Sequence, residues 1–348
     1  MLKSISLQNF RSYKKQEFSF ENSTLIIGPN TSGKSNLIEA IYLLSTGKSF
    51  RTDKDAQMLS FQEEVGRVKG ITEDNELEVV ITNGMVNGGS QYKKFLVNGV
   101  AKRRVDFSGN LLTVLFSPQD LEIIVDSPSL RRNFLDEILE QTDRNYRVAV
   151  IAYTKALRQR NALLEQARET GIRNEKQLEY WDNLVIENGN IITSGREAFI
   201  NFINVSSKDI FDFIIEYDKS LISKERLLQY EKEEVAAGVT LVGPHRDDFS
   251  VLMVNGDKPA HNVKFYGSRG QQRLAILQLK TLELLYVERI LGKRPTLILD
   301  DIFSELDENH ILLILREIGK QQTIMTTTHR EFVPQKLLKL MKIINFKK

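Results

Sequence analysis

Eight residues near the amino terminus, Gly28-Pro29-Asn30-Thr31-Ser32-Gly33-Lys34-Ser35, follow the pattern Gly-x-x-x-x-Gly-Lys-[Ser/Thr]. A loop of small residues lets backbone N–H groups close around phosphate oxygens, while the following helix points its positive end at them. Lys34 adds a mobile cation, and Ser35 offers its hydroxyl to Mg²⁺, which prefers octahedral oxygen ligands. Near the other end, Leu297-Ile298-Leu299 runs into Asp300-Asp301, and Asp300 at a strand end would complete the metal's shell through water. Together these halves describe a nucleotide site with Gly28, Asn30, Ser32, Gly33, Lys34, Ser35 and Asn36 as its loop contacts. The plainer alternative is a strand-to-helix turn; the lysine, the hydroxyl, the flanking strand and the helix all argue for the site instead.

These groups need elements to hold them. Leu2, Ile5 and Leu7 begin a strand, Phe18 and Phe20 another, and Leu25 to Ile27 a third that delivers the loop, followed by a helix over residues 35–46. Alternating strands fill residues 67–100, with Leu77, Val79 and Ile81 on one side and Asn98-Gly99 as a hairpin turn. Helices are expected over 129–170 and 176–213, the second carrying the only tryptophan, Trp181. Strand patterns return at Thr240–Val242 and Phe249–Val254, with a turn at Asn255-Gly256. A helix from Gly270 to about Leu291 then leads to the Asp300 strand, and Thr323–Thr327 gives one more. The order implies an α/β head built from both chain ends, residues 1–125 and 236–348, with a compact α-helical arm inserted over 126–235. No repeat or sustained heptad run suggests a long coiled coil.

Bulk properties narrow the setting. The 348 residues suffice for two domains, and the net charge of +2 means that affinity for nucleic acid must come from a local patch. Without cysteine there are no disulfides and no thiolate chemistry, which suits a reducing compartment. No run approaches the ~20 apolar residues that span a bilayer. Cytoplasm, with no membrane partner, is the expectation.

A second cluster, Tyr266-Gly267-Ser268-Arg269-Gly270-Gln271-Gln272-Arg273, stands before a long helix. Ser268 and nearby N–H groups could hold a terminal phosphate, although a capped helix start is the commoner meaning of such a segment taken alone. Phosphate loop, Gln119, the Ser268 cluster, Asp300-Asp301, Ser304-Glu305-Leu306-Asp307 and His329 follow one another in the order of an ATP-binding-cassette (ABC) ATPase head.

The chain resembles the RecF family of bacterial DNA repair and recombination proteins, almost end to end. The likeness rests on Asn9-Phe10-Arg11-Ser12-Tyr13, Gly33 to Tyr42, Phe50-Arg51-Thr52, Phe116 to Leu121, Gly270 to Arg273 and Leu299 to Asp307. Gly243-Pro244-His245-Arg246-Asp247-Asp248 is its most discriminating stretch, and is foreign to transporter cassettes. The resemblance implies an ABC-type P-loop head, related to chromosome-maintenance heads, that binds ATP and Mg²⁺, dimerises on ATP and holds duplex DNA, with slow hydrolysis resetting the dimer. By that likeness Lys34 and Ser35 serve the phosphates and Mg²⁺, Gln119 senses metal and attacking water, and Asp300 serves the metal. Asp301 stands where most cassette ATPases carry a glutamate base, and His329 aligns with the switch histidine. Arg11 would touch ATP phosphate or ribose; Ser268, Arg269, Gly270 and Gln271, with Asp307, would complete the nucleotide contacts across a homodimer. Thr31 departs from the family's usual glycine, which bears on affinity if that position needs φ > 0. The implied partners are double-stranded DNA near single-strand junctions, RecR, and further RecO and RecA.

DNA contact is not written in a motif. Between Arg144 and Arg160 lie five basic residues and no acidic one, and Arg144, Arg147, Lys155 and Arg158 fall within about 60° on a helix. Lys102-Arg103-Arg104 and Lys48 with Arg51 are further candidates on the head; a solvated basic face is the alternative for each. Other readings of the whole are a transporter ATPase, a chromosome-organising protein, or an ATP-liganded adaptor without useful hydrolysis.

Overall fold

The computed structural model describes residues 1–84, 92–254, 259–302 and 318–347. The chain forms two compact units, one made of both chain ends, Met1–Asp120 and Lys280–Lys348, the other of Leu121–Leu279.

The first unit opens with β1 (Leu2–Phe10), β2 (Tyr13–Ser19) and β3 (Ser23–Ile27), then the helix Lys34–Thr46. β4 (Val65–Thr72), β5 (Glu76–Thr82), β6 (Tyr92–Val97), β7 (Val100–Lys102) and β8 (Thr113–Phe116) follow. An antiparallel sheet takes the order β2-β1-β4-β5-β6-β7. β1 buries Leu2, Ile5, Leu7 and Phe10; a register shift between Leu2 and Ser4 accounts for the three-residue step from Leu2 to Ile5. As expected, Asn98 and Gly99 close the β6–β7 hairpin, both with positive φ, 51° and 75°. The Lys34–Thr46 helix is buried over nearly its whole length, Lys34 and Glu39 included. Its Leu37, Ile38, Ile41 and Leu44 share one core with the antiparallel sheet and with Ile26, Ile298 and Ile324.

In the second unit the first expected helical stretch is two helices, Pro128–Thr142 and Arg144–Thr170. They part at Asp143, whose carboxylate leaves the helical path to accept the Asn145 N–H at 2.7 Å. The next helix, Glu175–Val205, stops short of the expected end at residue 213; Phe213–Asp218 is instead strand β9, burying Phe213 and Ile215 in alternation. β10 (Asp248–Met253) lies between β9 and β11 (His261–Asn262), both antiparallel to it. Since β9 and β10 pair from Asp218↔Asp248 to Phe213↔Met253, a boundary at residue 235 would cut a sheet, and this unit runs on to Leu279. Thr240–Val242 is not a strand: side chains satisfy its backbone, Asn161 taking the Thr240 N–H and Glu234 that of Leu241. The turn expected at Asn255-Gly256 lies outside the described residues.

The helix Arg269–Leu291 returns the chain to β12 (Thr296–Asp300), β13 (Thr323–Thr327) and β14 (Lys342–Asn345). With β3 and β8 they form a parallel sheet ordered β14-β3-β13-β12-β8, whose central strands are buried throughout. The architecture is an α/β, ABC-type P-loop ATPase head with a second unit rich in helix. Among the described residues no helix is long and apolar enough to cross a membrane.

Candidate nucleotide site

A parallel sheet delivers its strand ends to one edge, and ligands of such sheets bind outside the carboxyl ends. Here the phosphate loop follows β3, the Gln119 turn follows β8, Asp300-Asp301 ends β12 and His329 follows β13. Residues far apart in sequence thus converge by topology alone.

Gly33 starts the loop helix at φ 101°, and no side chain caps that end, so its first-turn N–H groups face the loop. A Cβ on Gly33 would stand 2.8 Å from the Tyr13 hydroxyl, which donates to the Gly33 carbonyl at 2.9 Å. The Lys34 ammonium donates to the carbonyls of Gly28, at 2.7 Å, and Pro29, at 3.0 Å. Burial pulls it below the usual lysine range, against the opposing charges of Asp301 and Asp300. The Ser35 hydroxyl lies 3.4 Å from Asp300 Oδ1, which also accepts from Thr326 Oγ1 at 2.6 Å. Thr326 sits opposite Asp300 in register and takes the Asp301 N–H at 3.0 Å, so it holds both aspartates. Asp301 turns off the strand at φ 51°, and burial raises its carboxyl above the ordinary range while Lys34 opposes the rise. Thr31 does adopt φ 70°, the left-handed region in which a β-branched residue is strained.

Other candidates are placed differently. Gln119 is exposed, in the short helical turn Pro118–Leu121, which Asp120 ties to Lys280 at 3.3 Å. His329 is exposed and Nδ1 lies 3.1 Å from Glu331. Arg11 is clamped by Glu39, at 2.8 and 2.6 Å, and by the Gln57 carbonyl. Asn36 bonds Ser12 and accepts from Arg51. Asp307 lies outside the described residues. In the second unit Ser268 forms a capping box with Gln271: its N–H donates to Gln271 Oε1 at 2.8 Å, and its Oγ accepts the Gln271 N–H at 3.3 Å. Ser268, Arg269 and Gly270 are exposed, as are Phe265 and Tyr266 before them.

The basic stripe is not intact. Arg147 is 8 % exposed and its guanidinium bonds the carbonyls of Glu140 and Gln141, capping the end of the preceding helix. Arg144, Lys155 and Arg158 remain exposed on that helix. On the first unit Lys102 is exposed, Arg103 pairs with Asp106 at 3.3 Å, Arg104 and Lys48 are half-buried, and Arg51 is tied to Glu39.

The Gly243–Asp248 segment is an internal polar hub of the second unit. Asp247 is fully buried and accepts from Arg196 at 2.9 Å, Tyr217 at 2.5 Å and the Ser220 N–H at 2.7 Å. Asp248 holds Arg131 through two bonds of 2.6 and 3.0 Å. Tyr153 Oη lies 2.7 Å from His245 Nδ1, and His245 Nε2 is 3.0 Å from the Thr240 carbonyl. Burial lowers the His245 pKa to about 4.

Sequence reasoning missed Thr326, Tyr13 and Glu39. The Thr326 role could have been found from the register of two adjacent parallel strands; Tyr13 and Glu39 lie in stretches that carry the family likeness, but no local pattern gives either its partner.

The family described as the RecF/RecN/SMC N terminal domain matches residues 1–348. The DNA replication and repair protein RecF of Caldanaerobacter subterraneus subsp. tengcongensis is 36% identical over 354 residues, covering 95% of this chain and 95% of that protein. RecF of Exiguobacterium sp. is 35% identical, covering 99% and 97%. A solved structure of the recombination mediator protein RecF with ATP, in the RecFOR pathway, superposes with a TM-score of 0.85 at 36% identity, covering 96% of this chain and 93% of that one. With both the sequence and the fold matched over nearly its whole length, the chain belongs to the RecF family of DNA replication and repair proteins.

Proposed function

We propose that this protein is an ATP-gated DNA-binding recombination mediator. The observation that carries the reading is the meeting of Lys34, Ser35, Asp300 and Asp301 at the carboxyl ends of β3 and β12, in a chain whose relative was solved with ATP. Ser35 and Asp300 supply hard oxygen donors that fit Mg²⁺. The ion, when bound, neutralises charge on the phosphates. Lys34 leaves its loop carbonyls for phosphate oxygens, and the loop N–H groups and helix end hold the rest. Asp301 acts as the base that orients water, Gln119 senses water and metal, and His329 stands near the terminal phosphate. A side chain one methylene shorter than glutamate suits a slow switch.

Ser268, Arg269 and Gln271 of a second copy close over the same nucleotide, with Asp307 contributing at the interface. ATP therefore favours a homodimer that binds duplex DNA near single-strand junctions, using Arg144, Lys155 and Arg158 with Lys102 and Arg103 for phosphates. Hydrolysis opens it. RecR, RecO and RecA are the proposed partners in a cytoplasmic repair reaction. Fluorescence anisotropy of a labelled duplex with a single-strand junction tests the reading: Mg-ATP should tighten binding by tenfold or more, and Lys34→Ala should abolish the effect. DNA affinity indifferent to ATP in the wild type would refute gating.

A further inference from the structure

β13 is an interior strand of the parallel sheet, buried at every position, and such strands are ordinarily apolar on both faces. Its carboxyl end is instead Thr326-Thr327, both wholly enclosed. A buried hydroxyl costs stability unless it is hydrogen-bonded, and valine would offer the same branching without that demand. What each hydroxyl holds is therefore informative. Thr327 Oγ1 donates to the His329 carbonyl at 3.1 Å and accepts the His329 N–H at 3.3 Å, which shapes the turn after the strand. Thr326 reaches sideways, to β12.

A threonine hydroxyl carries one proton and two lone pairs. The Thr326 proton goes to Asp300 Oδ1 at 2.6 Å, and a lone pair takes the Asp301 N–H at 3.0 Å. One oxygen atom thus fixes the side chain of the first aspartate and the backbone of the second. Both need fixing. Asp300 Oδ1 is the oxygen that lies 3.4 Å from the Ser35 hydroxyl, so its rotamer decides whether the two can serve the same ion. Asp301 sits in the left-handed region at φ 51°, a conformation that persists where surrounding bonds over-determine it. The Thr328 backbone holds the Asp301 carboxylate from the same strand end.

We propose that Thr326 is a positioning residue: it aims Asp300 at the metal bound with the nucleotide and sets the backbone from which Asp301 addresses water, so that one hydroxyl tunes both Mg²⁺ affinity and turnover. The inference rests on the reading of this sheet edge as an ATP site. Its test compares the wild type with Thr326→Val, Thr326→Ala and Thr326→Ser in two measurements, with thermal midpoints alongside. One is Mg²⁺ titration of the binding of a fluorescent, non-hydrolysable ATP analogue; the other is steady-state ATP turnover. The valine and alanine variants should need about tenfold more Mg²⁺ for half-maximal binding, while affinity without Mg²⁺ stays unchanged. At saturating Mg²⁺ their kcat should fall about tenfold or more, with KM within about twofold of the wild type. Thr326→Ser keeps the hydroxyl and should stay near the wild type in both. Adding Thr326→Val to Asp300→Ala should raise the Mg²⁺ requirement little further, since the hydroxyl acts through that carboxylate. Should Thr326→Val not fold, the alanine and serine variants decide alone, because they differ only by the hydroxyl. A serine variant as impaired as the alanine one would assign the effect to the lost methyl and overturn the proposal. Folded valine and alanine variants with the Mg²⁺ dependence and kcat of the wild type would overturn it too. If turnover is too slow to resolve, the Mg²⁺ titration decides by the same comparison. Failure of the wild type to bind the analogue with Mg²⁺, or normal binding by Lys34→Ala, would instead refute the nucleotide reading itself.

Discussion

Two glycine-led motifs dominate this sequence, Gly28–Ser35 and Gly243–Asp248, and the fold uses them in opposite ways. The first ends at a sheet edge with a lysine hydrogen-bonded to loop carbonyls and a hydroxyl 3.4 Å from an aspartate, a set of groups able to exchange partners for a ligand. The second turns inward, and Asp247 spends both its oxygens on Arg196, Tyr217 and Ser220. A motif that identifies a family need not touch its ligand; this one fixes the unit whose surface carries the Ser268 turn.

The contrast can be broken by mutation. Asp247→Ala should destabilise the protein by about 3–5 kcal/mol, because Arg196 keeps its burial and loses a charge partner, although Asp136 still holds it. Chemical denaturation measures this, and a loss under 1 kcal/mol would deny the hub its role. Lys34→Ala should do the reverse, weakening ATP by about a hundredfold or more in calorimetry with little change in thermal midpoint.

His245 gives the hub a pH signature. Its folded pKa of about 4 lies below the ordinary 6.5, so the unfolded chain takes up the proton first and stability falls as pH drops from about 6.5 towards 4. Over that window the loss attributable to His245 is of order 3 kcal/mol, and it should vanish in His245→Asn. An unchanged slope in the variant would remove the histidine from the account. Nearer the site, Thr31→Gly should stabilise by ~1 kcal/mol by relieving a β-branched residue at φ 70°, and denaturant midpoints of the two proteins decide it.

Legibility followed the same division. The phosphate loop, its strand and helix, the β6–β7 hairpin and the Asp300 strand were readable because each is a local pattern with its own turn or period. β9 was hidden at the end of a long helical expectation, although Phe213, Ile215 and Tyr217 alternate and could have betrayed it. Thr240–Val242 looked like a strand because propensity says nothing of where backbone bonds go, and here Asn161 and Glu234 take them. Arg147 counted as surface charge until a preceding helix end claimed it. Thr326 and Glu39 act through partners far away in sequence, Asp300 and Arg11, and no single-chain pattern encodes such pairs.

Sedimentation velocity of the wild type and of Ser268→Arg, with fluorescent duplex DNA and with or without Mg-ATP, bears most directly on the composite, ATP-gated site. An ATP-dependent dimer that carries DNA, and that Ser268→Arg loses while its monomer still binds ATP, is the expected result. A wild type that stays monomeric with ATP and DNA, or a Ser268→Arg protein that dimerises normally, would contradict it.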